Sequence, residues 1–188
     1  MPDAQYSQAL LPDKYVVLGK TLLPFSLGHY AWLQRFDSPY LKGEEVQPQD
    51  LLAGIAICSN TWEGNGRFFG GNWRWELAKW AERLGGRRFR KKINWIDKFN
   101  EFESYLASHF EEPAVFWSAD GEESGAPPLE KLYYFLRVKF NYSDSEIWDF
   151  PMALARWRIV TYKELTDGSM RFETDTDKFL REKPLILN

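Results

Sequence analysis

The sequence predicts a mainly α-helical protein: a compact multi-helix bundle of about six helices, with an irregular glycine- and aromatic-rich middle and an extended N-terminal arm. Three observations predict it. Apolar residues recur at three- and four-residue intervals in several separate stretches. Helix-start signals (Ser, Asn or Pro) stand just before most of these stretches. The composition, 44% hydrophobic and 27% charged over 188 residues, belongs to a globular chain rather than a disordered one. This length suits a single helical domain over 1–188, with residues 61–128 as a candidate inserted subregion.

The elements follow in order. After a polar start, Tyr15-Val16-Val17-Leu18-Gly19 reads as a short strand or an extended arm packed by its apolar residues. Pro24 and Ser26 open a helix, with Ser26 as N-cap and Leu27, Tyr30, Ala31 and Leu33 near one face. It ends before Pro39, because the residue preceding proline is biased away from helix. Pro48 starts a second helix carrying Leu51, Leu52, Ile55 and Ala56 and ending near Asn60. Within it Gly54 either weakens the helix or marks a close helix contact.

Residues 63–72 hold four glycines and predict a flexible connection. Asn72 caps a third helix with Trp73, Leu77, Trp80, Ala81 and Leu84, which Gly85-Gly86 stops. Beyond a basic run, Asn94 and Asp97 form a variant capping box. Trp95, Ile96, Phe99, Phe102, Leu106 and Phe110 then trace the clearest amphipathic helix of the chain.

Residues 118–128 are the best loop candidate. A helix from about Leu129 to Phe140 follows, and Ser143 with Glu146 makes a capping box for a short turn. Pro151 suits the first turn of the next helix, which carries Ala155, Ile159 and Tyr162 and closes at Gly168. The last twenty residues read as a polar tail until Leu185-Ile186-Leu187.

Composition narrows the function classes. A net charge of −3 argues against bulk electrostatic binding of a polyanion. Cys58 is the only cysteine, so no intramolecular disulfide and no cysteine-based zinc cage can form, which fits a reducing compartment. No basic head with an apolar run opens the chain, and no apolar stretch reaches the roughly 20 residues that span a bilayer. An intracellular location is expected, with no membrane partner. Aromatics reach 17%, including nine tryptophans, which fill a core efficiently and are enriched at binding hot spots.

Candidate chemistry is sparse. His29 lies on an apolar helix and reads as a packing histidine. His109, near a helix C-terminus beside Glu111 and Glu112, reads as a cation favoured by the helix dipole. Cys58 sits in Ile55-Ala56-Ile57-Cys58 and reads as a buried, inert thiol. The glycines of 64–71 fit neither dinucleotide nor phosphate-loop spacing. Asp144, Glu146 and Asp149 lack the calcium-loop pattern, and Asp167, Glu173, Asp175 and Asp177 read as a solvated acidic stretch. No catalytic residue, cofactor or metal is therefore expected. The basic run Arg87, Arg88, Arg90, Lys91 and Lys92, with Arg83 and the rings Trp80, Phe89 and Trp95 around it, could hold phosphates and stack a base. It could equally meet an acidic protein.

Two blocks carry a resemblance. Residues 22–40 (LLPFSLGHYAWLQRFDSPY) with 50–59 (DLLAGIAICS), and residues 143–151 (SDSEIWDFP) with the helix running to Lys163-Glu164 and Gly168, are similar to bacteriophage and prophage tail assembly chaperone-like proteins. The resemblance covers about half of the chain and leaves out the middle, 61–128. It implies a helical, non-enzymatic assembly factor, placed in the bacterial host cytoplasm, that binds tail components, above all the tape-measure protein and also the tube protein. The alternatives are a nucleic-acid-binding or regulatory module built on 87–92, and a structural tail or baseplate accessory of the virion. The expected interaction residues are Trp73, Trp80, Arg87, Arg88 and Trp95 in the middle, and Trp148 and Trp157 towards the C-terminus.

Overall fold

A computed structural model describes residues 14–85, 93–110, 115–117, 127–166, 168 and 170–173. The described chain is mainly helical, as its periodicity predicts. Its helices are α1 (Leu27–Arg35), α2 (Pro39–Lys42), α3 (Pro48–Cys58), α4 (Trp62–Gly70), α5 (Trp73–Gly85), α6 (Trp95–Phe110), α7 (Pro128–Phe140), α8 (Asp144–Asp149) and α9 (Met152–Thr166). Two small antiparallel sheets accompany them: β1 (Val16–Val17) with β2 (Lys20–Thr21), and β3 (Val115–Trp117) with β4 (Met170–Phe172).

α3 is the centre of the core. Leu51, Leu52, Ile55, Ala56, Ile57 and Cys58 are all buried, so this helix is apolar nearly all round, as a helix packed on several sides must be. Its Gly54 explains itself by proximity. A Cβ there would meet Cζ of Phe102 at 2.8 Å and Cε1 at 2.9 Å, so the missing side chain lets α6 lay a phenyl ring against α3. α6 contributes Phe102, Tyr105, Leu106 and His109 to the same core. Ile96, expected on that apolar face, is exposed instead, because the inward stripe of α6 begins further along.

The N-terminus of α1 joins that of α9 through a one-residue bridge. Leu27 N–H donates to Phe150 O at 3.2 Å and Met152 N–H donates to Phe25 O at 2.9 Å, pairing Ser26 with Pro151. Pro151 thus stands just ahead of α9 rather than inside its first turn. The bridge is bonded through the flanking Phe150 O and Met152 N–H, so it needs no proline N–H, and Pro151 O is left to accept from Ala155 N–H at 3.0 Å in the first turn of α9. Gly28 permits α8 to close over α1: a Cβ at Gly28 would lie 2.7 Å from Trp148 O and 3.0 Å from Trp62 Cε3.

Three expectations need correction. The glycine-rich stretch 63–72 is not a flexible connection, and the middle is not irregular where it is described: α4 occupies Trp62–Gly70 and α5 follows almost at once. Low helix propensity is overruled by tertiary contacts. Thr61 caps the helix by accepting from Gly64 N–H, Asn65 donates to Ile57 O at 2.9 Å, and Phe69 stacks on Trp32 at 5.2 Å. The polar C-terminal stretch is not wholly a tail, since Met170–Phe172 pairs with Val115–Trp117 and Phe172 stacks on Trp157 at 4.8 Å. Finally, residues 15–19 hold the short strand, Val16–Val17, with Val17 buried, but the chain does not run on as an arm: Leu18-Gly19 turn it back into β2. The N-terminal segment 1–13, the basic run 86–92, most of the predicted loop 118–128 and the stretch 174–188 lie outside the described residues.

Candidate docking groove and the fate of the predicted residues

A groove of about 340 Å³ opens where four elements meet. The turn of the β1–β2 hairpin supplies Leu18, Gly19 and Lys20. The C-terminal end of α3 supplies Ala56, with Ser59 and Asn60 just beyond it, α4 supplies Phe68, and α5 supplies Glu76, Leu77 and Trp80. Glu76 and Leu77 lie four and three residues before Trp80, about one helical turn, so Trp80 is neighbour to both and the three line one wall.

The hairpin turn is strained. Val17 pairs with Lys20, leaving a two-residue loop of Leu18 and Gly19, both in the left-handed region at φ +49° and +75°. Such loops want positive φ at both positions, which suits Asn-Gly. Leucine there costs about 1 kcal/mol or somewhat more, and strain of this kind gathers at binding surfaces. Here it places the isobutyl group of Leu18 in the lip of the groove.

The floor is the capped end of α3. Ser59 Oγ donates to Ile55 O at 2.7 Å and Asn60 Nδ2 to Ala56 O at 2.7 Å. Ile57 O takes the Asn65 amide at 2.9 Å, and Cys58 O takes the N–H of Leu23 at 2.8 Å. The last four carbonyls, normally the unsatisfied end of a helix, all have donors.

The histidines are held by backbone groups. His29 is 1% exposed. Its Nδ1 accepts from Ser26 N–H at 3.1 Å, its own N–H donates to Ser26 Oγ at 3.3 Å, and Nε2 stands 2.8 Å from Asn60 O. Since Nδ1 accepts and Asn60 O can only accept, the proton sits on Nε2. Burial lowers its pKa to about 4, against partial opposition from the Asn60 hydrogen bond and the charge of Asp149. The reading of His29 as a packing histidine matches this geometry.

The reading of His109 as a dipole-favoured cation does not. Its Nδ1 lies 2.8 Å from Tyr105 O, its ring is buried, and burial lowers its pKa, outweighing the hydrogen bond. Its Nε2 has no partner among the described residues. Cys58 is fully buried, and burial pushes its thiol pKa far up, as expected of an inert cysteine. Among the described residues no cluster of His, Cys, Asp or Glu could hold a metal, and no helix is long and apolar enough to cross a membrane.

The predicted interaction residues separate. Trp80 is half-buried on the groove wall. Trp73 and Trp148 belong to a run of touching rings. Trp73 meets Phe36 at 5.1 Å, Phe36 meets Phe69 at 4.7 Å, Phe69 meets Trp32 at 5.2 Å, Trp32 meets Trp62 at 5.6 Å, Trp62 stacks on Trp148 at 4.7 Å, and Trp148 meets Tyr133 at 5.3 Å. Trp95 tilts against Phe99 at the start of α6. Trp157, at 5% exposure, is packing rather than docking surface: the inward face of α9 buries it beside Phe172. Arg87 and Arg88 lie outside the described residues.

Leu18 and Lys20 are groove residues that sequence reasoning missed. Their only signal is a two-residue gap between short β-prone pairs, Val16-Val17 and Lys20-Thr21. Also unforeseen are the large apolar side chains left in solvent, among them Tyr134 at 62% and Val138 at 51% on one face of α7, and Leu165 at 80% on α9. No family model, curated protein or solved structure matches this chain.

Proposed function

We propose that this chain is a non-enzymatic binding protein that docks a segment of another polypeptide, acting as an assembly factor for phage tail components such as the tape-measure or tube protein. The observation that carries the reading is the groove. It is concave, its walls are Leu18, Phe68, Leu77 and Trp80, and it is large enough for two or three side chains of an amphipathic segment. Tryptophan on the wall of such a concavity is the residue type that most often dominates binding energy. The tail-specific part rests on the two-block resemblance alone.

The test is co-expression with phage tape-measure and tube proteins. A stable complex is expected, weakened about thirtyfold or more by Trp80→Ala if Trp80 is a hot spot. Circular dichroism of the variant should match the parent. Failure to form a complex with either protein would remove the tail reading. A complex indifferent to Trp80→Ala would remove the groove. Mass spectrometry of finished particles separates an assembly factor, absent from them, from a structural accessory, present in them.

A further inference from the structure

Of the groove's polar side chains, Ser59 and Asn60 commit their donors to the end of α3. Glu76, the acid of the groove, is paired with Lys79 on the next turn of α5, at 3.3 Å. What is left over is Lys20. It is exposed, and its ammonium lies 5.8 Å from the centroid of the Trp80 ring. Among the described residues it has no carboxylate within ion-pairing distance. Nor does it serve α3 as a capping cation, since each of the last four carbonyls already has a donor.

The groove is therefore a concavity of mixed lining, with Leu18, Phe68, Leu77 and Trp80 as its apolar side and, at its lip, a cation, Lys20, that has no carboxylate partner among the described residues. We infer that the segment it takes presents a carboxylate beside an apolar side chain. The apolar side chain enters between Leu18, Phe68, Leu77 and Trp80, and the carboxylate meets the Lys20 ammonium. The inference rests on the proposed docking function and adds the chemistry of the partner: an amphipathic, locally acidic stretch of polypeptide rather than a basic one. The physical reason is charge complementarity. An anion arriving at Lys20 gains an ion pair whose cation is already held in place over Trp80, while a cation arriving there meets repulsion that its own attraction to the indole must first overcome.

The experiment uses two probes that share a ring and differ in charge, phenylbutyrate and phenylbutylamine. The reporter is the Trp80 indole N–H resonance of the full chain, assigned by its loss in Trp80→Phe. The carboxylate is expected to shift this resonance in a saturable way and to bind about fivefold more tightly than the amine, the scale of one exposed ion pair. That preference should vanish in Lys20→Gln and shrink as salt rises from about 50 mM to about 500 mM. Equal or tighter binding of the amine, or a preference that survives Lys20→Gln, would overturn the inference. So would a Trp80 signal that neither probe moves.

The parent reading is tested separately by its tail-protein complex. A complex that depends on Trp80 but ignores Lys20→Glu would sink the charge assignment and leave the docking function standing. A complex lost in both variants supports the two together.

Discussion

The protein should lose stability on mild acidification through His29, by an amount the structure sets. In the folded chain the imidazole is neutral, with Nδ1 accepting from Ser26 N–H and Nε2–H donating to Asn60 O, and its pKa is lowered to about 4 from an ordinary 6.5. A proton on Nδ1 would remove the acceptor of the capping box and leave a cation in a site closed to water. The unfolded chain therefore binds the proton more readily than the folded one. The sign follows: the stabilisation is fully present above the unfolded value, near pH 6.5, and is lost as pH falls towards 4. The separation of the two values corresponds to about 3 kcal/mol in total, of which about 2 kcal/mol is gone between roughly pH 7 and pH 5. His109, also lowered by burial, acts in the same direction, so wild type alone does not isolate His29.

The assay is guanidinium unfolding followed by tryptophan fluorescence at several pH values, for wild type and His29→Gln. Glutamine three residues after Ser26 retains a capping-box acceptor, so the variant should fold. It is expected to be about 1 kcal/mol less stable near neutrality through loss of the Asn60 bond, and flatter with pH by about 2 kcal/mol over the same interval. Parallel pH profiles for the two proteins would refute the reasoning, because they would mean that His29 does not carry the proton linkage.

Other perturbations test the packing. Ala at Gly54 gains helix propensity but drives a Cβ into Phe102, which is fully buried and hemmed in by Tyr40 and Tyr105, so a net loss of about 1–3 kcal/mol is expected in denaturant melts. Gly28→Ala should cost at least as much, since its nearest obstacle is the backbone oxygen of Trp148 rather than a side chain that can turn. Leu18→Asn should relieve left-handed strain and raise stability by about 1 kcal/mol while weakening whatever the groove binds; a destabilised variant would contradict the turn assignment. Arg158 lies over Phe150 at 5.0 Å, Tyr142 at 5.4 Å and Phe140 at 5.8 Å, so Arg158→Ala should lower stability by about 1–2 kcal/mol and Arg158→Lys by less.

What could be read in advance was local. Ser26 and Ser143 as caps, Pro48 as a first-turn residue and Gly168 as a terminator each depend on the few residues around them, and each is found. α4 fails that test, because its local helix signals, the Thr61 cap and the Glu63–Arg67 pair, are set against four glycines. Its reasons are Trp32, Ile57 and Asp149, the last accepting Trp62 N–H at 2.7 Å across 87 residues of chain. The aromatic excess was ambiguous for a related cause. Counted along the chain, it fits both a ring-filled core and a partner surface. In space, most of the described tryptophans satisfy one another, in the run of rings from Trp73 to Tyr133 and in the Trp157–Phe172 stack.

The groove was illegible because no stretch of sequence contains it. Residues 18–20, 56–60, 68 and 76–80 converge only after α3, α4 and α5 have packed. One departure from local preference did mark its edge, a leucine where a two-residue hairpin loop wants asparagine. Local rules that a fold breaks at measurable cost are best sought where the chain meets something else. At this lip the broken rule, Leu18, and Lys20, which has no carboxylate partner among the described residues, are only two residues apart.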